Sequence, residues 1–314
     1  MEINRFELDN GLRVVHCRDK ATAMVAVNTL YNVGARDEHP ELTGMAHLFE
    51  HLMFGGSVNV EDFDGELSAA GGVSNAWTSN DFTNFYDILP AVNIETALWL
   101  ESDRMLQLGF SEKSLAVQQS VVIEEFKQVC LNRPYGDMEH AFRNMAYKSH
   151  PYRFPVIGKE FSHIEKVVPD DVRSWFYSHY APNNAVLAVC GNVEFGLVRE
   201  LVEKWYGSIP RRDIAPRLYA NEPLPDSPRF VEMSGNVPQA ALNIAYPMAQ
   251  YGEMGYFAAD ILSDILANGK SSRFYRRLLL ETDLFTEVDA AIQGSEEPGL
   301  FTINAKLRGD DRAT

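Results

Sequence analysis

Apolar and polar positions alternate from the start of the chain. Residues 4–32 read as a hairpin and a further strand: Phe6-Glu7-Leu8 meets Leu12-Arg13-Val14-Val15 across the turn signal Asp9-Asn10-Gly11, and residues 24–31 alternate as a strand does. The period then lengthens to that of a helix over 43–54, with Thr43 placed to cap its start and Gly55-Gly56 to end it. A second helix is expected over 60–70. Residues 74–89, rich in Trp, Thr, Phe and Tyr, predict two strands joined near Ser79-Asn80-Asp81. Helices follow over 94–107, 112–131, 138–147 and 169–180, the last with a proline in its first turn, then a buried strand over 184–191 and a helix over 194–206. Pro210, Pro216, Pro223, Pro225 and Pro228 make 209–228 an extended linker. Beyond it, strands are expected at 229–233, 240–246, 286–293 and 300–307, with helices at 253–266 and 272–280. The order strand, helix, helix, strand echoes the first part of the chain. The expected division is a first domain over 1–208, the linker over 209–228, and a similar but truncated second domain over 229–314, in an α+β fold.

A length of 314 residues accommodates two domains, and 46% hydrophobic with 23% charged residues is the balance of a soluble globular protein. No apolar run reaches the roughly 18 residues of a membrane span. The opening Met1-Glu2-Ile3-Asn4 enters a strand pattern directly, with no basic start and apolar stretch, so the expected compartment is the cytoplasm, or the periplasm if a signal has been removed. A net charge of -16 repels nucleic acid and acidic lipid; it suits both the steering of basic peptides and plain solubilisation. Cys17, Cys130 and Cys190 are far apart and odd in number, which disfavours a disulfide framework, and Cys130 and Cys190 sit among apolar neighbours as buried thiols do.

The chemistry concentrates at His47-Leu48-Phe49-Glu50-His51. On a helix, positions i and i+4 share a face, so His47 and His51 present two imidazoles to one point, as tetrahedral zinc requires. Glu50 borders that face, where a carboxylate can hold a metal-bound water and take its proton. The remaining helix residues are apolar almost all round, so the helix is buried, and its polar residues need a strong partner. A chance H-x-x-E-H in a chain of this composition arises roughly one or two times in a hundred. The competing reading is a pair of hydrogen-bonded core histidines beside an acid.

A catalytic zinc takes three protein ligands and keeps an open position. On the helix 112–131, Leu115, Val117, Val121, Val122, Phe126, Val129 and Cys130 define an apolar face. Glu125 lies within that face, one turn from Val121 and Val129, whereas Glu124 points away; Glu125 is therefore the expected third ligand. Gln118, two turns earlier, either reaches the same pocket or is an ordinary buried amide bonded to backbone.

These motifs resemble the pitrilysin-type (inverzincin) metallopeptidase family, which includes insulysin and the mitochondrial processing peptidase. The resemblance rests on His47-Leu-Phe-Glu-His51 with Met-Phe-Gly-Gly-Ser57 after it, on Asn75-Ala-Trp-Thr78 and Val121-Val-Ile-Glu-Glu125, and on Pro134-Tyr-Gly-Asp137, His150-Pro-Tyr-Arg153 and Ala181-Pro-Asn-Asn184. It implies two similar α/β-roll domains, one zinc ion per chain held by His47, His51 and Glu125, and Glu50 as general base. It further implies an enclosed chamber in which a peptide adds a strand to the edge carrying Asn75, Ala76 and Thr78. Family members often carry a glutamate seven residues before the metal-binding one; here that position is Gln118, so a second acid near the zinc is missing. The Arg and Tyr that the other half of such enzymes supplies fall here at Leu279 and near Phe285-Thr286, while Arg273 and Arg276 read as surface charges. The resemblance thus implies a homodimer, or a heterodimer with a related chain that brings the rest of the chamber. The leading expectation is a zinc endopeptidase for peptides or unfolded segments. The alternatives are a non-catalytic scaffold or partner subunit and a metal-binding module without peptidase activity.

Overall fold

A computed structural model describes residues 2–109, 111–219 and 221–309. Its contacts divide the chain into two compact units, Met1–Lys127 with Phe154–Tyr219, and Gln128–Arg153 with Ala220–Thr314. The architecture is α+β, with helices and mostly antiparallel sheets.

The first unit is built on a six-stranded sheet. Strands β1 (Ile3–Glu7) and β2 (Arg13–Arg18) form the expected hairpin, closed where Gly11 takes the left-handed φ of 88°. β3 (Met24–Tyr31), β4 (Val73–Thr78), β5 (Thr83–Pro90) and β6 (Ala185–Gly191) complete it in the order β1-β2-β6-β3-β5-β4. Only the β2–β6 pairing is parallel; the others are antiparallel. Alternation gives the sheet two unlike faces. Val25, Val27, Thr29 and Tyr31 of β3, with Phe85, Asp87 and Leu89 of β5 and Leu187 and Val189 of β6, are buried in the core. Cys17, Ala26, Asn28, Val186, Ala188 and Cys190 project from the other face and are half-buried or exposed.

The helices of this unit are α1 (Met45–Leu52), α2 (Phe63–Ala69), α3 (Ile94–Leu106), α4 (Glu112–Phe126), the short α6 (Phe161–Glu165), α7 (Pro169–His179) and α8 (Phe195–Tyr206). Leu48 and Phe49 of α1 are fully buried, and the Phe49 ring sits 4.4 Å from that of Tyr180, itself 4.7 Å from Tyr31 on the sheet. The second unit carries α5 (Met138–Ala146), α9 (Met254–Ala267) and the strands β7 (Ala241–Pro247), β8 (Phe285–Gln293) and β9 (Leu300–Leu307), ordered β7-β9-β8. Both pairings are antiparallel, repeating the β3-β5-β4 arrangement of the larger sheet.

Four local expectations are corrected. Residues 229–233 form no strand, since Arg229 instead donates to the carbonyls of Met145 and Ala146 at the end of α5 (2.9 and 3.0 Å). The expected helix over 112–131 is α-helical to Phe126 and then widens into a π-helical turn, and that over 272–280 is π-helical across Tyr275–Leu280. Cys190 is exposed, because it lies on the outer face of β6, whereas Cys130 is buried as expected.

The described residues of the proline-rich stretch have no regular secondary structure, yet they are tied down side chain by side chain. Arg212 donates to the Tyr180 carbonyl (2.6 Å) with its guanidinium 4.5 Å from the Phe176 ring centre, and Arg217 holds Asp37 through Nε and Nη2 (both 2.7 Å). Further on, the Glu222 carboxylate accepts the N–H groups of Lys148, Ser149 and His150 (2.8, 2.7 and 3.0 Å). Prolines remove backbone donors, so these side-chain bonds replace the missing ladder.

Between α2, α3 and β5 the core encloses a charged group. Arg104 is 1% exposed; it pairs with Glu101 and lies 4.4 and 4.5 Å from the ring centres of Phe85 and Phe63. Asp87, also fully buried, has a pKa pushed well up by burial and by the nearby Glu101. Replacing Arg104 by Leu would leave these acids without a cation. The expected loss is about 3–5 kcal/mol, measured as a lower urea midpoint.

Candidate metal centre

The helix that carries His47, Glu50 and His51 starts without a cap of its own. Its N-cap is Gly44 at φ 88°, where a side chain would meet Ile164 Cδ1 at 2.9 Å and the Ile157 carbonyl at 3.0 Å. Thr43 does not cap it, contrary to expectation. The Thr43 hydroxyl accepts the Lys159 N–H (2.8 Å) and lies 2.9 Å from Nδ1 of His163. The capping group is Glu38, from the loop before the helix: its Oε2 accepts the Gly44 N–H (2.8 Å) and its Oε1 the Ala46 N–H (2.9 Å). Burial raises the Glu38 pKa to about 8 against the opposing pull of those N–H groups. Next to it, Asp37 is the residue clamped by Arg217.

The i, i+4 spacing turns both imidazoles toward one carboxylate. Nε2 of His47 and Nε2 of His51 each lie 3.6 Å from Oε2 of Glu125, which α4 brings alongside α1. That distance is too long for a hydrogen bond. It matches instead the edge of about 3.4 Å between two ligands of one tetrahedral zinc with arms near 2.1 Å. Among the described residues this is the one group of three such side chains whose ligand atoms converge within 4.8 Å. The charge states also fit a cation. Burial lowers the His47 pKa, aided by His51 and opposed by Glu125, which keeps the imidazole neutral with a lone pair to give. The Glu125 pKa is lowered, chiefly by the His51 imidazole, with partial burial opposing, so it is a carboxylate. Nδ1 of His47 is buried with no hydrogen-bond partner in the protein.

The apolar face of α4 is narrower than its sequence suggested. Leu115, Val122, Phe126 and, on the π-helical turn, Cys130 are buried, but Val117 and Val121 are exposed. Glu125 therefore lies at the margin of the buried stripe rather than within it, with its side chain 40% exposed, which leaves a carboxylate in reach of both imidazoles and of solvent. Gln118 is half-buried two turns earlier on α4. The amide that bonds backbone is its neighbour Gln119, whose Nε2 donates to the carbonyls of Ile164 and Val167 (2.8 and 3.0 Å).

Glu50 is half-buried and its Oε2 accepts the hydroxyl of Thr78 at 2.5 Å. Burial raises its pKa, with Glu125 adding to the rise and Thr78 and His51 opposing it. A base so tuned is drawn toward neutral pH. Thr78 ends β4, an edge strand of the sheet. The Ser79 N–H to Phe82 carbonyl bond (2.9 Å) sets the alternation of the hairpin, directing the main-chain groups of Ser74, Ala76 and Thr78 away from β5. Asn75 and Ala76 lie on this strand, and the outward Ala76 N–H is met by Asn75 Oδ1 (2.8 Å). Arg273 and Arg276 are exposed.

The sequence pattern of the insulinase family (peptidase family M16) matches residues 13–159, and that of the peptidase M16 inactive domain matches 166–313. A protease from Helicobacter pylori, known from its crystal structure, superposes with a TM-score of 0.93 at 30% identity, over 98% of this chain and 76% of that one. The chain belongs to the M16 peptidase family. Within the family, the zinc protease PqqE of Helicobacter pylori is 33% identical over 271 residues, 84% of this chain. The chain spans 61% of that relative's length. The first half of the periplasmic protease PqqL of Escherichia coli shares the fold, with a TM-score of 0.79 at 19% identity over 98% of this chain and 69% of that one. Among the described residues no helix is long and apolar enough to cross a membrane.

Sequence reasoning missed Glu38. A buried acid shortly before a helix that opens on glycine was the available signal. Its removal has a measurable sign. A carboxyl whose folded pKa lies near 8 rather than 4.5 contributes stability that is complete at acid pH and is lost as the pH rises toward 8. In metal-free protein, Glu38→Gln is expected to flatten the decline in urea stability across that window. Glu38→Ala is expected to cost about 1–2 kcal/mol as a lost cap.

Proposed function

We propose that this chain is a zinc-dependent endopeptidase that cleaves peptides or unfolded segments held in extended form. The observation that carries the reading is the convergence of two imidazoles on one carboxylate, each Nε2 3.6 Å from Glu125 Oε2, with a second, pKa-raised glutamate on the helix of the two histidines. His47, His51 and Glu125 would hold one zinc ion. When bound, the metal polarises a peptide carbonyl and makes a water acidic enough to be deprotonated near neutral pH. Glu50 takes the proton of the attacking water and passes it to the leaving amine; Thr78 fixes the carboxylate orientation for both transfers. The substrate backbone pairs with the outward groups of Ser74, Ala76 and Thr78, displacing the Asn75 side chain from the Ala76 N–H.

The groups that would bind the metal and move the proton all lie in the first unit. Leu279 and the Phe285-Thr286 pair stand where a substrate-binding Arg and Tyr are expected, so a second polypeptide, either another copy or a related chain, completes an enclosed chamber. A second reading, a non-catalytic partner subunit, draws support from the match of residues 166–313 to the family's inactive domain. The base at Glu50 favours the enzyme.

Elemental analysis after dialysis is expected to find about one zinc per chain, and strongly reduced zinc in His47→Ala, His51→Ala and Glu125→Ala. Glu50→Gln is expected to keep its zinc while cleavage of a mixed peptide library, with the partner chain present if one is required, falls about 10²- to 10⁴-fold. Unchanged cleavage in that variant would remove Glu50 from the mechanism. Cleavage absent from wild type under all pairings, with zinc bound, would favour the non-catalytic reading.

A further inference from the structure

Cys17 and Cys190, far apart in the chain, stand side by side in the sheet. β2 and β6 run parallel in a register that pairs Cys17 directly with Cys190. Both project from the face opposite the core: their strand neighbours His16 and Val189 are buried, whereas Cys17 is half-buried and Cys190 exposed. Neither is in a disulfide. Partial burial, together with the adjoining Cys17 thiol and Asp19, holds the Cys190 pKa above its ordinary value, which places the two sulfurs within each other's influence.

We infer that Cys17 and Cys190 form a reversible dithiol–disulfide pair, closed by a disulfide oxidant of the glutathione class. Facing positions on adjacent strands are roughly 4.8 Å apart, inside the Cα spacing of about 4.4–6.8 Å that a disulfide spans. The exposed Cys190 reacts first. Its thiolate attacks one sulfur of oxidised glutathione, forming a mixed disulfide and expelling one glutathione thiolate. The Cys17 thiolate then attacks the Cys190 sulfur and expels the second. One disulfide bond breaks and one forms; the two cysteines are oxidised, glutathione is reduced, and the two cysteine protons end on the two glutathiones. Because the Cys190 thiol resists ionisation, closure proceeds through a small thiolate fraction and takes minutes to hours. Cys190 is exposed, so the bond stays open to attack by reduced glutathione and is a reversible link rather than a structural one. It ties the β1–β2 hairpin covalently to the middle of the sheet. Cys130 is buried in the second unit and takes no part.

The test incubates the whole chain with oxidised glutathione, blocks remaining thiols by alkylation, digests, and reads the products by mass spectrometry. A Cys17–Cys190 linked peptide is expected, exceeding the Cys190–glutathione adduct about tenfold, and lost on adding reduced glutathione. Cys17→Ser should stop at a persistent glutathione adduct on Cys190, and Cys130→Ser should give the same linked peptide as wild type. Wild type that stops at the adduct, stays fully reduced, or links only between molecules overturns the proposal.

Discussion

The structure turns on a helix that is buried nearly all round yet polar along one edge. Burying His47, Glu50 and His51 without partners would cost several kcal/mol for each group, and the rest of the first unit is arranged to avoid that penalty. α4 supplies Glu125 at 3.6 Å from both imidazoles, β4 supplies the Thr78 hydroxyl to Glu50, and the loop before the helix supplies Glu38 to its uncapped N–H groups. Each partner comes from a different element. The order of the chain therefore matters less than the way sheet and helices converge on α1.

The same unit tolerates a second buried polar group on different terms. Arg104, Glu101 and Asp87 lie in the core, enclosed by aromatic rings, and compensate one another; a raised Asp87 pKa removes the charge that Arg104 does not balance. At the candidate metal centre the two donors with shifted pKa values move the opposite way, toward deprotonation, with His47 neutral and Glu125 ionised. A core ion cluster resolves its excess charge with a proton, whereas the α1–α4 cluster keeps lone pairs available. The physical difference is exposure, since Glu125 is open enough to remain a carboxylate and Asp87 is fully buried.

The proline-rich stretch shows how irregular chain is held without secondary structure. Arg212 and Arg217 fasten it within the first unit, the latter at Asp37 beside the Glu38 that caps α1, and Glu222 fastens it within the second. Charge-assisted bonds of this kind are stronger than neutral ones, so a segment lacking backbone ladders still has a defined path.

Much of this was legible in the chain itself. Hydrophobic periodicity located the β1–β2 hairpin, β3 to β6, and most of the long helices, because one buried face imposes a period of 2 or 3.6 on the residues that line it. The i, i+4 spacing of His47 and His51 fixed their common direction, since it depends only on helix geometry. Glu125 does lie beside both imidazoles, though the face argued for it was too wide: Val117 and Val121 are exposed, and nothing in a single helix says where its neighbour ends. What sequence left open depended on contacts between distant segments. Thr43 looks like a cap, but the fold brings Glu38 to that end and turns Thr43 toward His163. Cys17 and Cys190 share no motif, and only the parallel register of β2 and β6 pairs them. Local pattern decides which elements form; which side chains meet is decided by how those elements cross, and a one-dimensional period carries no record of that.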